Sequence, residues 1–355
     1  SNLIAVGDSA LFNNTTGQYN SGVGSKTLYT NISGNENTAY GYRSLYFNES
    51  GSKNIAVGAN TMLNNTSGNY NVAVGNYALF NNTTKSNLVA IGDSALYNNG
   101  SFNPGATYAI DNTAVGSKSL TNNAAGSRNT SVGSRSLYTS NGDDNVAVGA
   151  EALKAMIGGN SNTAIGSGAI KVNTNGNNNT AIGYGAGGAA TTGSRNVFIG
   201  LNAGYNETGS DKLYIADSNA DANNALLYGE FNNKTLQLNG KLTVNTPAGA
   251  TGLDLATADS YAELRQIRNT TGSDHNLYFG FNGDPASSIN FFNGGLNAHV
   301  SIKNGNLGIG VSNPVSYQLQ LGGDLAAKSL TSTWYISSDT RLKDINGNYT
   351  KGLKD

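Results

Sequence analysis

The sequence predicts an all-β protein: an elongated parallel β-roll, a solenoid with about 17 residues per coil, followed by a small β-rich domain. Three observations lead to this prediction. A triplet of a small residue, then Val or Ile, then Gly recurs at a nearly constant step as far as Gly200. Asn and Leu recur at fixed distances from that Gly. Gly is abundant (47 of 355 residues) and Pro is rare (4), a composition that suits many tight turns and few helices.

The glycine of the triplet marks twelve coils, one of which reads AYG in place of AVG. The sequence numbers of successive marker glycines differ by 17, except for one difference of 16 and one of 24. The long step holds an insertion of about seven residues within Ser101 to Ile110. Asn stands four residues before the glycine in ten of the twelve coils, and Leu or a near equivalent stands four residues after it in most coils. The marker glycines are Gly7, Gly24, Gly41, Gly58, Gly75, Gly92, Gly116, Gly133, Gly149, Gly166, Gly183 and Gly200.

Each coil reads as two short strands and two turns. The first strand has the form N-x-A-V-G, the second has the form S-A-L-Y, and a polar corner such as Asn13 to Gly17 follows. A unit of this size cannot bury a core by itself, so the coils must stack on one another about 4.8 Å apart. Twelve coils at that spacing would form a rod roughly 55–60 Å long.

Alternation along the first strand predicts which residues share a face. We expect the Val or Ile before the glycine to fill the coil interior. The Ala and Gly would then form a smooth face that a neighbouring backbone could approach, so that a side chain at Gly75 would block a contact. Asn residues stacked at one position per coil can form an amide ladder. The Asn-x-Thr sequences at Asn14 and Asn82 and the Asn-x-Ser sequence at Asn65 are therefore interpreted as corner chemistry rather than as glycosylation sites.

The N-x-A-V-G and A-L-x-N-N coils, from Asn2 to about Gly204, resemble the head repeats of trimeric autotransporter adhesins. They resemble equally the repeat shafts of phage tail fibres and related bacterial fibres. The resemblance implies a left-handed β-roll and a homotrimer with three chains around one axis. It also implies an extracellular fibre, on a cell surface or a virion, that binds a cell-surface glycan or protein receptor. The usual coil of the adhesin heads is shorter than the coil of this sequence.

The predicted organisation follows the loss of the period. The β-roll shaft covers 1–205, and transition strands with turns at Asn232-Asn233 and Asn239-Gly240 cover 206–244. A β-rich domain covers 245–304, with strand-like NLYFGFNG and SINFFNGG and a faint helical pattern in YAELRQIRN. A neck covers 305–337. Because interruptions of a repeat tend to carry function, we expect recognition in the β-rich domain or in the Ser101–Ile110 insertion.

The string SDTRLK at Ser338 to Lys343, preceded by GIGVSNP, resembles the beginning of the intramolecular chaperone domain of phage tailspikes and fibres, the S74 peptidase family. The resemblance implies that 338–355 starts a domain that trimerises the chains and then cuts itself off. It assigns the nucleophile to Ser338 and the general base to Lys343, with the scissile bond between Ser337 and Ser338. A lysine can act as such a base when desolvation lowers its pKa. The alternative interpretation is that Ser338 or Asp339 caps a short helix.

Apart from this single cut, the sequence predicts no enzyme, no cofactor and no metal site. Two histidines, His275 and His299, are a poor metal set without Cys or clustered carboxylates. A net charge of −1 argues against a nucleic-acid partner, and no apolar run approaches the ~20 residues of a membrane span.

Three alternatives stay open at this point. A glycan depolymerase of the tailspike kind needs two carboxylates across a cleft, with candidates at Glu230, Asp254, Asp259, Glu263, Asp274 and Asp284. A purely structural shaft segment is the second alternative. An ice-binding solenoid is the third and weakest, since the coils lack a regular Thr-x-Thr face.

Aromatic residues after the coil leucine could stack against sugars. We expect them instead to stack on one another along the rod: Phe12, Tyr29, Tyr46, Phe80, Tyr97 and Tyr138.

Overall fold

The computed structural model describes residues 2–100 and 108–243, and the backbone of four strands between 288 and 321. The chain divides into two compact units, Ser1–Gly252 and Leu253–Asp355. Within the described residues every regular element is a β-strand. No helix there is long and apolar enough to cross a membrane.

The first unit is a parallel β-solenoid with one short strand per coil. Each strand pairs in parallel with the next, and in most pairs the partners are separated by one repeat period, as Ile4 and Ser21 are. The predicted parallel roll and its coil length are thus confirmed. The three-residue strands are β1 (Ile4–Val6), β2 (Ser21–Val23), β3 (Thr38–Tyr40), β4 (Ile55–Val57), β5 (Val72–Val74), β6 (Val89–Ile91), β7 (Thr113–Val115), β8 (Thr130–Val132), β9 (Val146–Val148), β10 (Thr163–Ile165), β11 (Thr180–Ile182) and β12 (Val197–Ile199).

The stack ends in an antiparallel cap. Strand β13 (Lys212–Ile215) still pairs in parallel with β12. Strands β14 (Leu227–Glu230) and β15 (Thr235–Leu238) then turn back antiparallel, joined by a turn at the predicted Asn232-Asn233.

In the second unit, four strands form a separate sheet. Strands β16 (Ser288–Phe292), β17 (Ala298–Lys303) and β18 (Asn306–Ile309) are antiparallel neighbours, and β19 (Leu319–Leu321) pairs in parallel with β18. The strand predicted from SINFFNGG is present as β16. NLYFGFNG and YAELRQIRN lie outside the described residues.

The third coil, Asn37–Lys53, shows the path that the others repeat. The strand is followed by Gly41, which has a φ of 124°, and then by left-handed Arg43 and Leu45. The segment Ser44–Phe47, called here the leucine arm, bonds to the next coil through Leu45 N–H to Thr61 O (3.0 Å) and Phe47 N–H to Leu63 O (2.9 Å). The corner that follows begins at Asn48.

The second strand predicted for each coil is therefore wrong. The leucine arm hydrogen-bonds to its neighbours, but left-handed residues such as Arg43 and Leu45 keep it from the extended conformation of a strand. The same conformation recurs at the corresponding residues of the other coils, including Leu28, Leu79, Leu96, Leu120, Leu137 and Leu153.

The predicted interior of the coil is also wrong. The central strand residues, such as Ala39 and Ala56, are completely buried, whereas Ile55 and Val57 on either side are 43% and 38% exposed. A Cβ added to Gly22, a central strand residue, would lie 2.9 Å from Thr27 Oγ1 and 3.7 Å from Leu11 Cγ. The centre of the strand thus faces the leucine arm, whose large side chains leave room opposite for little more than a methyl group.

Asparagine ladders tie the coils together inside the stack. Asn37 donates both its backbone N–H (2.9 Å) and its Nδ2 (3.1 Å) to Oδ1 of Asn20, and its Nδ2 also reaches Gly51 O (2.8 Å). A second ladder joins the corner asparagines, with Asn48 Nδ2 donating to Asn31 Oδ1 at 2.7 Å. These bonds satisfy buried amides and turn carbonyls that would otherwise be costly.

All three asparagines interpreted as corner chemistry belong to this second ladder, in which Asn14 Oδ1 accepts a hydrogen bond from Asn31 Nδ2 at 2.7 Å. Asn65 and Asn82 are completely buried. Each donates its Nδ2 to the asparagine one coil before it. Their interpretation as corner chemistry is confirmed.

The marker glycines bring neighbouring backbones into close contact. Gly75 has a φ of 132°, and a Cβ there would lie 2.5 Å from Gly92 O and 2.6 Å from Gly92 C. Because real Cβ atoms do not approach backbone so closely, a side chain at this position must push the coils apart. The prediction that Gly75 lies at a close backbone contact is confirmed.

Candidate interaction surfaces

The outward residues of β1–β12 form a continuous strip, called here the sheet face. It consists of the first and third residue of each strand, and none of these residues is charged. The third residue is Val or Ile in every strand except β3, where it is Tyr40. Several stay well exposed, among them Val74 (37%), Ile165 (40%) and Ile182 (42%). The first residues are Ile, Val, Thr or Ser. A long exposed column of branched apolar side chains on a strip without charge is typical of a surface that meets another protein.

The leucine arm carries an aromatic column on its outer side. Phe12 and Tyr29 are stacked with ring centroids 5.3 Å apart, Tyr29 and Tyr46 at 5.0 Å, and Phe80 and Tyr97 at 5.0 Å, with interplanar angles of 2° to 9°. The prediction that these aromatics stack along the coils is confirmed for these pairs. Each of these rings has at least one face covered by a neighbouring ring, and Phe12, at the end of its column, remains 66% exposed.

A groove of about 350 Å³ runs along the corners of the third, fourth and fifth coils. We call it the corner groove. Two residues line it from each coil, at equivalent positions on either side of a buried ladder asparagine: Phe47, Glu49, Asn64, Thr66, Asn81 and Thr83. The sequence analysis missed this groove. In the sequence the groove is visible only as Asn and Thr at the two lining positions of the fourth and fifth coils, where the third coil has Phe47 and Glu49.

Phe47 is the aromatic residue of the corner groove, and its ring packs against Tyr46. Its ring lies edge-on against Tyr46, with centroids 4.5 Å apart and planes at 81°. Tyr46 is in turn stacked on Tyr29 and covered by the Arg43 guanidinium, 5.5 Å from the ring centroid. Phe47 remains 43% exposed.

The insertion after the sixth strand follows the same corner in the sequence of its coil. Gly100 is the last described residue before it and follows the corner Asn99, and Tyr108 is the first described residue after it. Ser101 to Thr107, most of the predicted recognition insertion, lies outside the described residues.

The later coils carry ion pairs on their surface. Glu151 lies 2.7 Å from both Lys154 Nζ and Lys171 Nζ, and 3.9 Å from Arg135. Hydrogen bonds from Lys154 and Lys171 lower the pKa of Glu151 from 4.5 to about 2. Arg128 pairs with Asp144 at 2.7 Å and Arg195 with Asp211 at 2.6 Å. Each of these three clusters links successive coils.

The cap holds the one depolymerase candidate that the structure describes in full. Glu230 accepts hydrogen bonds from Lys212 Nζ (2.6 Å), Tyr228 Oη (2.6 Å) and Asn233 Nδ2, and these lower its pKa to about 2. A carboxyl held in its ionised form cannot protonate a leaving group near neutral pH. These contacts favour the role of an ion-pair residue for Glu230 over that of a general acid.

The nearby Glu207 accepts a hydrogen bond from Tyr214 Oη at 2.8 Å. Burial, more than this bond, raises the pKa of Tyr214. No group of three or more His, Asp or Glu side chains within the described part of the chain is placed to hold a metal ion.

The other predicted site residues lie outside the described residues. Ser338 and Lys343, with the scissile bond at Ser337–Ser338, fall there, so the self-cleavage stays a prediction. So do the remaining carboxylate candidates and His275, while His299 is described only as backbone within β17.

Comparison with known proteins adds no relative. The chain matches no family model, no curated protein and no solved structure.

Proposed function

We propose that the chain is a segment of an extracellular attachment fibre in which three copies pack around one axis through their sheet faces. The observation that carries the proposal is the sheet face itself. Twelve successive strands present an uncharged strip in which the third residue is Val or Ile in all but one strand. A strip of this kind exposed to water would promote unspecific aggregation unless a partner covered it.

The strip is long. Its twelve strands, about 4.8 Å apart, extend over roughly 55 Å, and a stable protein interface buries about 800 Å² per partner. Because the strip is two columns wide, each copy can contact two neighbours, one along each column. Parallel, in-register coils in all three chains would place the apolar third column of one copy against the uncharged Ile, Val, Thr and Ser side chains of its neighbour's first column along the whole stack.

In such a fibre the solenoid supplies length and a rigid display of its outer surfaces, and three identical copies supply avidity for a cell-surface receptor. The left-handed sense of the roll and the self-cleavage at Ser338 as a maturation step belong to the same proposal. They rest on the resemblance of the repeats and of SDTRLK to the fibre families.

The trimer is tested by light scattering on the purified chain. We expect a mass three times 36.6 kDa. Ile165→Lys, in the tenth of the twelve strands, should lower the mass to that of one chain at micromolar concentration, because a buried unpaired lysine is strongly unfavourable. Ile157→Lys is the matched control: Ile157 is 50% exposed but lies in a corner away from the strip.

A folded monomer of the wild-type chain at high concentration would sink the proposal. So would an Ile165→Lys variant whose mass equals that of Ile157→Lys.

A further inference from the structure

We propose that the corner groove binds a neutral, linear carbohydrate chain through Phe47 and Glu49. This inference rests on the proposed function, because it names the class of receptor that the fibre would recognise. The groove consists of an exposed aromatic ring, a carboxylate, two amides and two hydroxyls within three coils. Sugars present both apolar C–H faces and hydroxyl groups, and this set of side chains complements both.

Phe47 supplies a preorganised stacking surface. The contacts with Tyr46 fix its ring before any ligand arrives, so little side-chain entropy is lost on binding. The aromatic column of the leucine arm is less suited to this role, because the faces of Tyr29 and Tyr46 are already covered by neighbouring rings.

Polar groups in the groove are left with acceptor capacity. Asn64 Nδ2 donates to Asn81 Oδ1 (2.9 Å), and Asn81 Nδ2 donates to Asn98 Oδ1 (2.7 Å). This external ladder runs in one direction, so no donor in the described part of the chain reaches Asn64 Oδ1 at its open end, next to the coil of Phe47 and Glu49. Within the described residues the exposed Glu49 carboxylate also has neither an ion-pair nor a hydrogen-bond partner. Hydroxyl donors of a sugar match these two acceptors.

The charge of the groove selects among carbohydrates. Glu49 contributes a negative charge, and none of the six lining residues is a Lys or an Arg. An anionic sugar such as a sialic or uronic acid would be repelled, and a phosphate would find no cation. The groove therefore favours neutral hexoses and N-acetylhexosamines.

An extended peptide is a poorer fit. Peptides commonly add a strand to an open sheet edge. Here the backbone N–H groups beside the groove are already used between coils: Phe47 N–H bonds to Leu63 O, Glu49 N–H to Thr66 O and Asn64 N–H to Phe80 O.

With lining positions from three coils at a spacing of about 4.8 Å, the groove has the length of about three sugar residues.

The test uses the purified trimer on immobilised oligosaccharides of glucose, galactose, mannose or N-acetylhexosamine, and on the same chains carrying sialic or uronic acid. The wild-type protein should bind at least one neutral chain and prefer it to its acidic counterpart. Phe47→Ala should weaken that binding about tenfold or more, as loss of a central aromatic contact does. Glu49→Ala should weaken it several-fold.

Matched controls separate the groove from the rest of the surface. Phe12→Ala removes an aromatic of the leucine-arm column, and Glu36→Ala removes an exposed carboxylate outside the groove. Both should leave binding within about twofold of wild type. Light scattering on each variant reports whether the trimer persists, so that a failed assembly is distinguished from a failed glycan site.

Binding to no neutral chain, or to acidic chains only, would overturn the inference, as would a Phe12→Ala effect as large as that of Phe47→Ala. Protein that attaches to cells after their surface glycans are oxidised with periodate, but not after protease treatment, would also overturn it in favour of a polypeptide receptor. None of these results would remove the trimer.

Discussion

Phe198 stands at a strand centre where β1–β11 carry Ala, Gly or Ser. The leucine arm compensates for its size. Gly187 and Gly204 occupy the positions of the arm leucine in the two coils that enclose it. A Cβ at Gly187 would lie 2.6 Å from Phe198 Cδ2, and one at Gly204 would come still closer to Phe198 Cδ1. Here the large side chain stands on the strand instead of on the leucine arm, and the coil interior stays filled.

This exchange predicts a coupled pair of substitutions. Phe198→Ala alone should cost about 3–5 kcal/mol in the free energy of unfolding, because it leaves a cavity. Gly187→Leu alone should also destabilise, by overpacking, by about 1–3 kcal/mol. The double variant restores the Ala–Leu pairing of the other coils and should be more stable than Phe198→Ala. Its leucine needs a left-handed backbone, which Gly187 already has (φ 60°).

Urea denaturation of the four proteins measures the coupling. If the two destabilisations simply add, Phe198 and the arm position do not share space, and the assignment of the coil interior is wrong.

The sequence alone could not decide which strand residues face the coil interior. Alternation in N-x-A-V-G correctly groups Ala56 apart from Ile55 and Val57, but it does not say which group is inside. We expected the larger residues inside, as in an ordinary core. The interior of each coil is instead filled by large side chains of the leucine arm, such as Met62 and Leu79. The corner groove escaped prediction because its residues become neighbours only when coils stack.

At the scale of whole coils, stability depends on links from each coil to the next. The buried asparagine ladders were foreseeable from one Asn per period. The ion pairs of the later coils were not, because partners such as Glu151 and Lys171 are more than a coil apart in sequence and meet only through the stack. The left-handed residues of the leucine arm were also missed, since Leu rarely adopts that conformation.

The cluster around Glu151 predicts a dependence of stability on pH. Its folded pKa of about 2 lies below the ordinary 4.5. Its contribution is therefore complete above about pH 4.5 and is lost as the pH falls towards 2, because protonation breaks the bonds to Lys154 and Lys171. Glu151→Gln should lower the melting temperature at pH 7, and the difference from wild type should shrink between pH 4.5 and 2.

Calorimetry across that pH range checks this expectation. Glu36→Gln, which removes an exposed carboxylate with no ion pair among the described residues, controls for the change in net charge. A gap between wild type and Glu151→Gln that stays constant down to pH 2 would contradict a structural role for the cluster.

Across the whole stack, both buried ladders are interrupted at the sixth coil. Leu88 replaces the strand asparagine there, so the ladder ending at Asn71 is separated from the one starting at Asn112. In the corner ladder, Asn82 Oδ1 is buried without a partner among the described residues, because Asn99 Nδ2 bonds instead to Ala109 O (2.8 Å). The insertion within Ser101–Ile110 begins in this coil.

We therefore expect the sixth coil to open more readily than its neighbours. In hydrogen exchange followed by mass spectrometry, peptides covering 88–100 should exchange faster than those covering 54–70, where both ladders are continuous. Local opening follows the number of buried contacts and backbone bonds that must break. Equal protection along all twelve coils would show that the ladders contribute little to local stability.

The constant register between coils also has a genetic consequence. Because equivalent residues of neighbouring coils occupy equivalent places, recombination between two copies of the repeat would remove or add whole coils in frame, and the new junction would pair as the old one did. Evolution could thus lengthen or shorten the stack in steps of about 4.8 Å. Coils whose side chains compensate for one another in size limit this exchange. A crossover that separated Phe198 from Gly187 would leave a large ring without its space, so these two coils must be inherited together.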